Sequence, residues 1–279
     1  MRNILISLVV NLFCLSPVLA EDARKPDAGG LNDRNFRPSL DAVCGSGTIM
    51  GKGCNAIRAR EIVDAQATPW NALGRVNYAS IQTRQHCTGT LVAPRLVLTA
   101  SHCLYSYARK SWIPPSSIRF VAGYQRGSFG GTSAVARYIL DPVQDAASRD
   151  FRAEVGQDWA ILVLEKAIPG PYPEVLLPDV EERPGAWLLA GYTALRPHVL
   201  SLARDCGAPV MRAALGVILN QCSAMHGDSG APLLIETGAR LQLAGIFSAV
   251  SAQGDSFVSI AVPVATFAAA LQAEMAGQP

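Results

Sequence analysis

The chain has 279 residues, 49% of them hydrophobic and 16% charged, which is enough to bury a sizeable core and excludes a disordered or fibrous chain. Its net charge of +2 comes from 24 basic and 22 acidic residues spread along the sequence, so no basic run marks a nucleic-acid footprint. A substrate or partner must therefore be recognised through a site and not through a field.

In chain order, Arg2, the apolar stretch Ile4 to Leu15 and the small-residue end Val18-Leu19-Ala20 before Glu21 read as a signal peptide over residues 1–20. The stretch is shorter than the ~20 apolar residues a spanning helix needs, and Asn11 interrupts it. Bulky Phe13 before Cys14 argues against a lipid-anchored cysteine. The expectation is a secreted or periplasmic protein with no membrane contact after signal removal. Cleavage leaves six cysteines, Cys44, Cys54, Cys87, Cys103, Cys206 and Cys222, and an even count in an exported chain reads as disulfides. Fifteen pairings exist in principle. The simplest joins neighbours in sequence: Cys44 with Cys54, Cys87 with Cys103 and Cys206 with Cys222. The tight C-x-x-C spacing of structural zinc is missing, so no metal is assigned.

Residues 21–61 are rich in Asp, Arg, Asn, Gly and Pro, and read as a mobile leader or propeptide tethered by the Cys44–Cys54 loop. From Ile62 the text changes to short β-like runs split by turns, among them HCTGTLVA, RLVLTA, SIRFVAGY, WAILVLE, AWLLAGY and LQLAGIFSAV. Many short strands at close spacing predict a sandwich or barrels. The segment 169–173, Pro-Gly-Pro-Tyr-Pro, is the candidate crossing between two halves. After Pro263, VATFAAALQAEMA has the spacing of an amphipathic helix of about three turns.

Three segments carry chemistry. Ser229 sits in His226-Gly227-Asp228-Ser229-Gly230-Ala231-Pro232, His102 in Leu98-Thr99-Ala100-Ser101-His102-Cys103, and Asp158 opens the apolar run Asp158-Trp159-Ala160-Ile161-Leu162-Val163-Leu164. Taken singly, Gly-Asp-Ser-Gly is often a turn, a buried histidine is often structural, and an aspartate before a strand is often a solvated cap. Together they supply what amide hydrolysis requires: a nucleophile, a base titrating near neutrality, and a group that orients the base. Glycines flank the serine where backbone N–H groups must reach a developing oxyanion. Asp145 and Asp150 compete for the orienting role but lie in the polar stretch QDAASRDFRAE, which reads as an exposed loop.

These segments, in the order His, Asp, Ser, resemble the trypsin/chymotrypsin family; α/β-hydrolases and subtilisins use other orders. The resemblance runs from about Ile62 to the C-terminal helix. It implies an all-β fold of two packed six-stranded antiparallel β-barrels with a C-terminal helix, 62–168 forming the first barrel and 169–279 the second. It implies a serine endopeptidase without a cofactor, a structural calcium remaining open, that acts on protein or peptide substrates and works as a monomer. His102 would be the base, Asp158 its orienter and Ser229 the nucleophile, with the amides of Gly227 and Ser229 as the oxyanion hole. Ser248 would donate to Asp158 and lie along the substrate backbone. Ser223 would form the floor of the specificity pocket, His226 its mouth and Val250 its wall, which predicts small or medium apolar side chains rather than Arg, Lys or Glu. Met225 stands where vertebrate members have a cysteine, and the Cys206 and Cys222 positions look closer to bacterial members, including relatives of the glutamyl endopeptidases. His86 and His198 read as structural or solvent-facing.

The resemblance further implies a zymogen. A cut between Glu61 and Ile62 would free an Ile62 ammonium to pair with Asp228. The match is partial, since Asp64-Ala65 replaces the usual glycines, and a basic residue could pair Asp228 instead. Two other functions stay open: a catalytically silent binding protein on the same fold, and an esterase sharing the acyl chemistry.

Overall fold

In the computed structural model, residues 44–45, 48–49, 51–79, 84–175, 185–238, 240–253 and 256–277 are described. The signal peptide and most of the leader up to residue 43 lie outside them. The protein is mostly β, with a closed six-stranded barrel, a second large sheet and a C-terminal helix, a trypsin-like double-barrel fold.

The first barrel is built from β1 (Leu73–Ala79), β2 (Arg84–Ala93), β3 (Leu96–Thr99), β4 (Ile118–Ala122), β5 (Gly131–Leu140) and β6 (Ala160–Leu164). They close in the order β5-β6-β3-β2-β1-β4, and β4 pairs back onto β5. Closure removes both sheet edges. All five residues of β6 are buried, on both faces of the strand. That is why Ala160 to Leu164 reads as a continuous apolar run instead of an alternating one.

The second half is a nine-stranded sheet. Its main members are β7 (Ala186–Gly191), β8 (Ser201–Ala203), β9 (Val210–Arg212), β10 (Val217–Asn220), β11 (Pro232–Thr237), β12 (Arg240–Gln253) and β13 (Ser256–Pro263). The order runs β9-β10-β13-β12-β11-β7-β8, with the short strand Glu61–Ile62 added beyond β8. The segment Glu174–Val175 joins β12 in parallel just after the Pro-rich crossing. The C-terminal helix spans Val264–Ala276 and buries Val264, Phe267 and Leu271, the i, i+3, i+7 stripe its sequence predicts. Phe267 packs on Trp159 of the first half, ring centroids 5.8 Å apart.

All three sequence-neighbour disulfides are present: Cys44–Cys54, Cys87–Cys103 and Cys206–Cys222. The last part of the expected leader differs from a mobile segment. Gly51–Ala59 is an α-helix, α1, whose Cys54 and Ile57 are buried in one cluster with Cys206, Cys222, Ala224 and Phe247. Its sequence hides this, because Gly51, Gly53 and Asn55 are poor helix formers and tertiary packing decides the outcome. No helix among the described residues is long and apolar enough to cross a membrane.

Candidate active site

His102 sits on the short 3-10 turn Ser101–Leu104 that follows β3. Cys103, the next residue, is bonded to Cys87 on β2, which pins this turn to the barrel wall. Asp158 lies fully buried just before β6, and β6 pairs with β3, so the register of one strand pair brings the two side chains together. His102 Nδ1 and Asp158 Oδ2 are 2.7 Å apart. A carboxylate only accepts, so Nδ1 carries the proton and Nε2 keeps the lone pair a general base needs.

Four donors converge on the Asp158 carboxylate. The His102 amide reaches Oδ1 at 2.9 Å and Ser101 Oγ reaches it at 2.8 Å. His102 Nδ1 and Ser248 Oγ, the latter at 2.5 Å, both donate to Oδ2. Burial alone pushes a carboxyl upward, but the charge and hydrogen bonds of His102 and the Ser248 hydroxyl outweigh it and hold Asp158 below the usual carboxylate range. Ser101 was not singled out in the sequence. Behind it, Gln144 Nε2 donates to Ser101 Oγ at 3.0 Å and to the Gln157 carbonyl at 2.7 Å. Asp145 and Asp150 are exposed and take no part.

Ser229 comes from the second half. Gly227 has φ 91°, and the Asp228 amide donates to the Met225 carbonyl at 3.1 Å, a four-residue turn whose third position requires positive φ. A Cβ on Gly227 would stand 2.2 Å from the Tyr192 carbonyl oxygen, and one on Gly230, at φ 75°, would stand 2.2 Å from Thr99 Oγ1. Both glycines are therefore obligatory for packing, a stronger constraint than the close approach of substrate expected from sequence. Among the described residues, neither the Gly227 nor the Ser229 amide donates to a backbone carbonyl. The serine loop is held to the first barrel by Thr88: its amide donates to the Ser229 carbonyl at 2.9 Å and its hydroxyl to the Gly227 carbonyl at 2.8 Å.

Ser229 and His102 line one cleft of about 610 Å³ together with His86, His226, Gly227 and the Cys87–Cys103 bridge. No hydrogen bond joins Ser229 Oγ to His102 among the described residues; His102 Nε2 lies 3.9 Å from Cys103 Sγ. Such contacts tighten when substrate is bound. His86 Nε2 donates to the Tyr192 carbonyl at 2.7 Å, and burial together with the nearby Arg75 charge lowers its pKa to about 4. It is a neutral strut beneath Gly227. His198 is exposed and hydrogen-bonds Tyr124. His226 is exposed at the cleft mouth.

On the side where the specificity pocket is expected, Ser223 is buried, with its amide 3.2 Å from Asp205 Oδ1 and its hydroxyl donating to Asp205 Oδ2. Val250 is buried and pairs across the sheet with Ser259, whose hydroxyl donates to the Cys222 carbonyl. Ser259 is legible only once the β12–β13 register is known. Cys87, His102 and Cys103 are the group of metal-type donors among the described residues, but both sulfurs are consumed by the disulfide, so this donor set does not fit a metal.

Two partners for Asp228 were left open, an Ile62 ammonium after a cut and a basic residue. In the uncut chain Arg60 stands there: Nη1 donates to Oδ1 and Nη2 to Oδ2, each at 2.9 Å. Ile62 is 45% exposed and belongs to the strand Glu61–Ile62 paired with β8.

The Trypsin family model matches residues 61–187. Human transmembrane protease serine 5 is 26% identical over 268 residues, covering 80% of this chain and 54% of that protein. Rat serine protease 23 is 25% identical, covering 61% of this chain and 49% of its own length. The chain thus spans about half the length of the curated relatives it matches. Among solved structures, a Glu endopeptidase aligns with a TM-score of 0.57 at 17% identity over 77% of this chain and 96% of that one. The VesB protease of Vibrio cholerae gives 0.57 at 16% identity over 77% and 66%. An inactivated protease paralogue of the scabies mite gives 0.58 at 19% identity over 78% and 99%.

Proposed function

Since the chain belongs to the trypsin/chymotrypsin-like serine protease family, we propose that it is a secreted serine endopeptidase whose triad is Ser229, His102 and Asp158. The observation that carries this reading is the buried carboxylate of Asp158, with His102 Nδ1 at 2.7 Å and Ser248 Oγ at 2.5 Å, behind a His102 that lines a cleft together with Ser229. A buried charge is tolerated only when several donors satisfy it, and this one fixes the tautomer of His102 that leaves Nε2 as an acceptor. Ser229 attacks the peptide carbonyl while His102 takes its proton. The Gly227 and Ser229 amides receive the oxyanion, His102 returns the proton to the leaving amine, and water releases the acyl-enzyme by the same path.

Chain-specific features support a preference for small or medium apolar side chains before the scissile bond. The residue at the expected pocket floor, Ser223, is uncharged, its amide and hydroxyl donating to Asp205, and Val250 would narrow one wall.

The fold alone does not decide activity, as the inactivated scabies mite paralogue shows for its own chain. Fluorophosphonate labelling followed by a chromogenic peptide panel tests the reading. The expected result is labelling and cleavage by wild type, a loss of several orders of magnitude in Ser229→Ala, and higher kcat/KM for Ala, Val and Leu than for Arg or Glu. Absence of labelling would indicate a silent binding protein, and labelling without peptide cleavage an esterase.

A further inference from the structure

We infer that Arg60 does the work an inserted N-terminal ammonium would do, so that the uncut chain is already catalytically competent and residues 51–61 belong to the working enzyme. The inference rests on the endopeptidase reading of Ser229. It begins with an electrostatic requirement. Asp228 is fully buried one residue before the nucleophile, and a buried carboxylate without a partner is strongly destabilising. Its charge must be met before the loop from Met225 to Ser229 can settle.

Arg60 meets it in the geometry that suits a guanidinium, two parallel N–H···O bonds of 2.9 Å. The pair is dry, with side-chain exposures of 1% and 0%. Nη2 also donates to the Ser223 carbonyl at 2.7 Å, which ties the same guanidinium to the segment forming the pocket floor. On the far side, the Met225 amide donates to Asp228 Oδ2 at 3.1 Å, so the carboxylate bridges Arg60 to the start of the turn that carries Gly227.

Arg60 is itself held in place. It follows α1, whose Ile57 is fully buried and whose Cys54 is bonded to Cys44. Arg196 Nη1 donates to the Arg60 carbonyl at 2.9 Å and Nη2 to the Arg58 carbonyl, satisfying carbonyls at the helix C-terminus. Immediately after Arg60, Glu61 and Ile62 pair with Leu202 and Ser201, and the Val63 amide donates to the Leu200 carbonyl at 3.2 Å. An Ile62 ammonium could reach Asp228 only by breaking this pairing and expelling Arg60. Arg60 is thus a positioning residue: it acts on the oxyanion amides through Asp228 and touches no substrate.

The experiment uses the full chain as exported. Its N-terminus is read by mass spectrometry, then fluorophosphonate labelling, peptide turnover and the affinity of a peptide boronic acid, which resembles the tetrahedral intermediate, are measured. The uncut species is expected to label and turn over peptides fully, and deliberate cutting after Glu61 should not raise the rate. Arg60→Met is expected to lower kcat and boronate affinity together by about 100-fold or more, the scale of a lost oxyanion donor, with KM changed little. Arg60→Lys should recover part of both. A purely structural role would lower thermal stability without this parallel loss. If Arg60→Met does not fold, the comparison of uncut and cut wild type still decides. An uncut chain that is silent until cut after Glu61, or a folded Arg60→Met with kcat within threefold of wild type, overturns the inference while leaving the endopeptidase reading intact. Silence of both uncut and cut forms would instead remove the endopeptidase reading itself.

Discussion

Ser101 precedes the proposed base by one residue, and its hydroxyl stands between Gln144 and the Asp158 carboxylate. Hydrogen bonds to charged groups contribute ~1.5–3 kcal/mol, so Ser101→Ala is expected to lower kcat about tenfold with KM nearly unchanged. A kcat within twofold of wild type would show that the other three donors suffice. His86 makes a prediction of the opposite electrostatic kind. Its folded pKa is lowered from 6.5 to about 4 by burial and by Arg75, with Asp228 and the Tyr192 carbonyl pulling the other way and the neighbouring His198 adding a small lowering effect. The unfolded chain therefore binds a proton that the folded chain refuses, so its contribution to stability is complete above pH 6.5 and is lost as pH falls from 6.5 toward 4, by up to ~3 kcal/mol. Asp158 titrates below that window, since its folded pKa is also lowered. Urea unfolding at pH 7.5 and pH 4.5 should show this loss in wild type and a smaller one in His86→Gln. Equal losses in the two proteins would remove His86 from the account.

At the scale of elements, legibility in the sequence followed the range of the forces. The strand runs, the three disulfide pairings and the helix after Pro263 are written locally, in alternation, cysteine spacing and an i, i+3, i+7 stripe, and the structure has them where they were expected. The segments bearing His102, Asp158 and Ser229 were legible for the same reason. Arg60 was not, because its partner lies 168 residues away and nothing beside Arg60 marks it as buried. Helix α1 escaped for a related reason: its glycines signal a linker, and only the pocket made by Cys206, Cys222 and Phe247 overrides that preference. Ser259 and Thr88 were invisible because their roles depend on strand register and on docking between halves.

At the scale of the whole molecule, the C-terminal helix acts as a clasp. Phe267 packs on Trp159, the neighbour of Asp158, and Glu274 pairs with Arg137 of β5. The exposed ion pair contributes little, whereas truncating a buried phenyl ring costs ~3–5 kcal/mol. Phe267→Ala is accordingly expected to lower unfolding stability by that amount in chemical denaturation while kcat of the folded fraction stays within about threefold. A large fall in kcat without loss of stability would place the helix in the catalytic apparatus instead.

Contacts that complete the site join distant parts of the chain: Ser248 to Asp158 across 90 residues, and the Thr88 hydroxyl to Gly227 across 139. A ribosome delivers these partners in sequence. While the polypeptide is still being made, His102 and Asp158 have emerged but the strands that bring Ser229 and Ser248 to them have not. The proposed triad can therefore assemble only once the last strands have been made. On the proposed reading, the topology delays assembly of the site until nearly the whole chain is made.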